Sequence, residues 1–174
     1  KETQVCEAGY YAVTLDDFLV RAEITAAEHS AVYRFTFPEK SEPSLLIDCQ
    51  WGIGGKDLSK TMLSCDARIE DNRVLGTTFR RHWVTRQYSY VIEFNHKIVS
   101  FEKLPKLNDE EKAPRFALRF DLSGGEPLLV KIGYSLVDVE GAGRNLSAEV
   151  PDFGFDRIRA AASVRWDEVL SKMD

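Results

Sequence analysis

The side chains here that could do chemistry are three tryptophans, three histidines, three cysteines and a few clustered carboxylates. The acidic groups are Asp16-Asp17, Asp109-Glu110-Glu111, and Glu140 with Glu149. Glycoside hydrolysis needs two carboxyls facing each other across a sugar cleft, whereas adjacent acids in hydrophilic turns read as solvated. Glu140 stands apart. It closes an apolar strand and precedes Gly141-Ala142-Gly143, where the backbone can bend; it reads as a helix-terminus or salt-bridge carboxylate. His29, His82 and His96 lie in separate segments without ligand spacing, which argues against a metal site built from them. Cys6, Cys49 and Cys65 are odd in number and lack C-x-x-C spacing, against a zinc site or a disulfide scaffold. Cys49 and Cys65 read as small apolar core residues in strands, and one bridge among the three stays open.

Gly52-Ile53-Gly54-Gly55-Lys56 has the glycines of a phosphate loop but no Ser or Thr after the lysine, so it reads as a plain loop. Trp166 falls on an apolar helix face. Trp51 borders the glycine loop and Trp83 follows Arg80-Arg81-His82. Each of these two indoles either packs in the core or stacks on the C–H face of a sugar. The net charge of −5 and pI near 5.3 leave no basic stripe for nucleic acid. No apolar run approaches the roughly 20 residues that span a bilayer, and no signal peptide is present in these 174 residues. The Asn145-Leu146-Ser147 sequon matters only in a eukaryotic secretory setting.

The elements that must position these residues are mainly strands. Period-two alternation predicts strands at 10–15, 18–25, 31–37 and 44–49. Hairpins are predicted at 66–71 with 73–79 and at 87–94 with 97–101, and further strands at 115–122 and 128–137. Residues 103–114 read as a charged, solvated loop and 145–149 as a short helical turn. From Phe155, Ile158, Ala161, Ala162, Trp166, Val169, Leu170 and Met173 share one face of a C-terminal amphipathic helix. Either Asp152 or Asp156 favours its positive end. The expected fold is mainly β: an antiparallel sandwich buried on one face of its sheets, over residues 1–150, with a helix over 151–174. With nothing else to cover it, the helix should fold back on the sandwich or pair with a second copy as a homodimer.

These segments carry a family resemblance. Gly9-Tyr10-Tyr11-Ala12-Val13-Thr14-Leu15, Glu23-Ile24-Thr25-Ala26 and Tyr33-Arg34-Phe35-Thr36-Phe37-Pro38 resemble glycoside hydrolase family 92, the bacterial exo-α-mannosidases. So do Leu45-Leu46-Ile47-Asp48, Trp83 with Gln87 and Tyr90-Val91-Ile92-Glu93-Phe94, Val130-Lys131-Ile132-Gly133, and Val139-Glu140-Gly141-Ala142 with Asn145-Leu146 and Glu149. Phe155-Asp156 and Trp166 continue the match, so the similarity runs in order from Gly9 nearly to the end. The resemblance implies an N-terminal β-sandwich joined by a helical linker to a C-terminal α/α barrel. It further implies inverting, calcium-dependent removal of terminal α-linked mannose from a glycan substrate, in the periplasm or outside the cell. The acid, the base and most calcium ligands of the family belong to the barrel, so this chain is expected to hold neither a catalytic set nor a cofactor of its own. Trp83 is the one substrate-binding residue carried over, although Arg81-His82 replace the small residues the family places before it.

Overall fold

Alternating apolar residues give each strand a face to bury, and the chain covers the large sheet on both sides. We describe residues 2–50, 61–81 and 83–172 of a computed structural model. Its strands are β1 (Val5–Glu7), β2 (Tyr10–Leu15), β3 (Val20–Ala26), β4 (Ser30–Thr36), β5 (Ser44–Asp48) and β6 (Met62–Glu70). They continue with β7 (Arg73–Arg81), β8 (Thr85–Phe94), β9 (Ile98–Leu104), β10 (Arg115–Phe120) and β11 (Leu128–Ser135). Helices α1 (Val139–Glu149) and α2 (Phe155–Leu170) follow. The large sheet has the order β1-β2-β3-β4-β11-β8-β7-β6, and the small one β5-β10-β9. All pairings are antiparallel.

The mainly-β sandwich with a C-terminal helix is what the alternation predicted, and the small sheet is buried on one face as expected, but for the large sheet burial on one face only is corrected. The small sheet covers one side of the large sheet through Phe94, Phe116, Leu118, Phe120 and Leu128. The helices cover the other through Ala142, Leu146, Phe155 and Ile158. Both sides of β3 therefore bury residues, and Glu23 and Thr25 lie under α2 rather than in water. The expected hairpin of 87–94 with 97–101 is also corrected. The Asn95-His96 link carries the chain from the large sheet to the small one, so β8 pairs β7 and β11 while β9 pairs β10.

The expected turn at 145–149 is a full helix beginning at Val139, and Glu140 sits in its first turn, not at a strand end. The Asp138 carboxylate accepts the amide of Gly141 at 2.6 Å and caps α1. The helix stops before Pro151, which restricts the residue preceding it. Gly133 lets α1 sit directly on β11. A methyl group there would lie 2.4 Å from the Ala142 carbonyl oxygen and 2.6 Å from Leu146 Cβ. The segment 103–114 is less solvated than expected. Glu111 is buried, accepting the Leu107 amide at 2.8 Å and facing the Arg115 guanidinium at 3.4 Å.

Candidate functional site

The helix α2 is held by a polar cluster that is buried at Tyr10 and Glu23 and opens to solvent at Asp156. Tyr10, Glu23 and Arg34 stand on adjacent strands β2, β3 and β4, with Glu23 and Arg34 directly opposite each other. Arg34 donates both Nε and an amino group to the Glu23 carboxylate, at 2.7 and 2.8 Å. Its other amino group reaches Asp156, in the first turn of α2, at 3.0 Å. Tyr10 Oη donates to Glu23 at 2.7 Å. Arg34 also lies over the Phe155 ring at 4.2 Å, and Arg159 over the Tyr10 ring at 3.5 Å. The Arg34 hydrogen bonds, against the opposing cost of burial, hold the Glu23 carboxyl down to about 2. Burial and the neighbouring Glu23 push the Tyr10 phenol up. One strand over, Lys131 donates to the Val150 carbonyl at 3.1 Å and pairs with Glu93 at 3.1 Å. Beside the cluster an open groove of about 560 Å³ runs along α2, walled by Glu7, Tyr10, Asp156, Arg159 and Asp167. Arg159 and Glu7 pair across it at 3.1 Å. The cluster docks a helix, and its charges already answer one another.

The second feature is one end of the large sheet. Strand register fixes which loops share it. Ser89 of β8 lies opposite Ser135 of β11, Gly133 opposite Ser30, Ala26 opposite Ala31, and Thr25 opposite Tyr10. The β7–β8 tip, the β11–α1 link, the β3–β4 turn and the start of β2 therefore gather at that end. There α2 arrives as well: Ala162 and Trp166 lie on Gly9, whose φ of +81° suits glycine, and Arg165 pairs with Glu28. The apolar residues of this end remain exposed: Trp83 and Val84 at the β7–β8 tip, Leu136 and Val137 after β11, and Trp166 and Val169 on α2. Trp83 is 93% exposed.

The terminal helix thus folds back, as one of its two expected outcomes. Phe155, Ile158 and Ala162 are buried, while Ala161, Val164, Trp166, Val169 and Leu170 are not. Of the other residues singled out, Glu140 pairs with Arg144 at 2.6 Å, a salt-bridge carboxylate in a helix terminus. Burial acts to raise the Glu149 carboxyl, but the bonds from the His29 amide and ring outweigh it and leave it lowered. Cys49 and Cys65 are half-buried rather than core residues, and both reach Tyr90. Trp51, the Gly52–Lys56 loop, His82 and Met173 lie outside the described residues. Sequence reasoning missed Leu136 and Val137, read as the end of a strand; only the cap at Asp138 shows that the strand has already stopped.

Among the described residues one grouping has the composition of a metal site, Glu28, His29 and Glu149. It does not suit calcium, which takes an all-oxygen cage of six to eight ligands. Both Glu149 oxygens are engaged by His29, and Glu28 by Arg165. No helix of the described residues is long and apolar enough to cross a membrane.

Residues 1–135 match the model of the glycosyl hydrolase family 92 N-terminal domain. The fold is similar to that of the family GH92 alpha-mannosidase BT3965 from Bacteroides thetaiotaomicron, with 25% identity and a TM-score of 0.77. It is also similar to the GH92 inverting mannosidase BT2199 from the same organism (21%, TM-score 0.80) and to the GH92 glycosyl hydrolase CcMan5 (21%, TM-score 0.81). Each similarity covers 98% of this chain and 23–25% of the larger one, so this chain spans about a quarter of their length. Both helices lie beyond the family-model match but within the chain-wide structural one. No curated protein sequence matches significantly.

Proposed function

This chain belongs to the glycosyl hydrolase family 92 N-terminal domain family, and from that premise we propose that it is the non-catalytic β-sandwich of an α-mannosidase. In this reading it packs on a C-terminal α/α barrel of the same polypeptide and shapes one wall of the glycan cleft. The observation that carries the proposal is the gathering of Trp83, Val84, Leu136, Val137, Trp166 and Val169 at one end of the large sheet. Exposed apolar residues gathered on one side of a protein mark surfaces that another body covers, and α2 (Phe155–Leu170) runs to that end as the linker. The barrel supplies the carboxylate pair and holds the calcium. Glu140 and Glu149 are bound to Arg144 and His29, in keeping with structural roles. A periplasmic or extracellular location suits a glycan substrate.

The test is direct. The 174-residue chain is incubated with aryl α-mannosides and added calcium. We expect no turnover above the uncatalysed rate, and robust turnover overturns the assignment.

The exposure of Trp83 favours a second reading, in which the sandwich itself binds carbohydrate by stacking the indole on a sugar ring. Titration with mannose and mannobiose, followed by tryptophan fluorescence, distinguishes the two. A saturable change at millimolar sugar that is lost in Trp83→Ala supports binding by the sandwich. A flat titration leaves Trp83 only its place at the cleft wall.

A further inference from the structure

Cys49 and Cys65 belong to different sheets. Cys49 follows β5 at the edge of the small sheet, and Cys65 lies in β6 at the edge of the large one. They meet at one hydroxyl. Tyr90 Oη, from β8, donates to Cys49 Sγ at 3.3 Å and lies 4.0 Å from Cys65 Sγ. Both sulfurs thus stand around a single phenol oxygen. Both are free and half-buried. Cys6, exposed on β1, stands at the opposite edge of the large sheet.

We propose that Cys49 and Cys65 are a thiol pair that oxidises reversibly to a disulfide, clamping the small sheet to the edge of the large one, with a low-molecular-weight or protein disulfide as the oxidant.

The local chemistry assigns the roles. The mutual influence of the two neighbouring thiols pushes the Cys49 thiol up and the Cys65 thiol down. The Arg80 guanidinium, which donates to the Gln50 carbonyl at 2.7 Å, adds a nearby positive charge that also lowers Cys65. Cys65 is therefore the first thiolate. It attacks one sulfur of the oxidant R–S–S–R, forming Cys65–S–S–R and releasing R–S⁻, which takes up a proton. Cys49 then loses its proton, attacks the Cys65 sulfur and expels the second R–S⁻. Two electrons pass from the cysteines to the oxidant, which leaves as two R–SH. Such a bridge persists in an oxidising compartment and opens in a reducing one. It acts on the scaffold alone and does not rest on the mannosidase reading.

The folded 174-residue chain is exposed to oxidised glutathione, alkylated, digested without reduction and mapped by mass spectrometry. The expected result is a linked Cys49–Cys65 peptide lighter by two hydrogens, with Cys6 recovered alkylated or glutathionylated. The melting temperature should rise by roughly 5–10 °C on oxidation, from the general scale of disulfide stabilisation, and fall back with dithiothreitol. Cys6→Ser should keep the rise, while Cys49→Ser should lose it and trap one glutathione on Cys65. Recovery of Cys49 and Cys65 as separately modified peptides overturns the proposal, as does an equal rise in Cys65→Ser. The mapping uses the unaltered chain, so it decides the matter even if a variant folds poorly.

Discussion

Between the two sheets, Phe94, Phe116, Leu118, Phe120 and Leu128 interlock as aromatic and aliphatic bodies. Between the large sheet and its helices, the buried set also includes Glu23, Thr25 and Lys131, with Arg34 half-buried beside them. The first layer gains from removing apolar area from water, at about 25 cal/mol per Å² whatever the orientation. The second gains little net free energy from its charges, because desolvation offsets their attraction. What those charges do supply is geometry. Arg34 can satisfy Glu23 and Asp156 together only with α2 in one place and one rotation. The sheet–sheet layer therefore stabilises by apolar burial alone, whereas the sheet–helix layer adds to its own apolar cluster a set of charges that aims α2 toward the end that holds Trp83 and Val137.

The largest test of that division is Phe120→Ala. Truncating a buried phenylalanine costs about 3–5 kcal/mol, and here it also removes the ring 5.1 Å from Phe94. Urea denaturation should show the loss with the cooperativity of the whole domain. A loss under about 1 kcal/mol would mean that the sheets are not packed as a rigid layer.

Next is Glu23→Ala, expected to cost about 3 kcal/mol because Arg34 is left half-buried without its main partner. Its signature differs from that of Phe120→Ala: amide exchange should quicken through α2 before it does in β8 or β10. Acid gives the same cut without a mutation. Glu23 has its folded pKa depressed to about 2, from an ordinary value of 4.5. Its contribution is therefore complete above pH 4.5 and is lost as pH falls from there through about 2. A melting-temperature profile should decline over that window, and Glu23→Gln should flatten the decline. Equal slopes in both proteins would show that the cluster is not what acid undoes.

Gly133→Ala comes third, at about 2 kcal/mol, since the added methyl meets the backbone of α1 rather than a movable side-chain tip. It should loosen α1 and leave the sheet–sheet layer intact. A neutral result would place α1 farther from β11 than the structure does.

The contrast between the layers also explains which parts of the molecule are legible in the sequence. Alternation in 10–15 and 31–37 locates β2 and β4 to within a residue at each end, because one strand face of Tyr10 and Ala12 or Val32 is plainly apolar. The same rule offers no sign that Glu23 is buried, because a carboxylate is legible as buried only once its partner is known. Arg34 and Asp156 are distant in sequence and meet through topology. The β8–β9 link resembles a hairpin because Asn95-His96 has turn chemistry; nothing local distinguishes a turn within a sheet from a crossing between sheets. Helix α1 reads as shorter than it is because Gly141 and Gly143 argue against helix, and its packing on Gly133 overrides that weak propensity. Trp83 is legible as a candidate by residue type, whereas its neighbours at the sheet end, Leu136, Val137 and Trp166, are assembled only by strand register.

Glu140 sharpens the comparison from its small end. A carboxylate that acts on a sugar is placed in a cleft and perturbed by its surroundings. Glu140 has an exposed side chain and pairs with Arg144 one helical turn on, at positions i and i+4. Such pairs contribute about 0.3–0.5 kcal/mol and are screened by salt. Glu140→Gln should therefore lower the unfolding free energy by less than about 0.5 kcal/mol, and the difference from the unaltered chain should shrink further in about 1 M salt. If the chain is joined to a catalytic barrel as proposed above, the same substitution in that whole protein should leave kcat/KM within about twofold, far short of the roughly hundredfold or greater loss expected when a general acid or base is removed. A large loss of activity with unchanged stability would move Glu140 from the scaffold to the reaction, and the sandwich could then no longer be read as a wall that lends no reacting group.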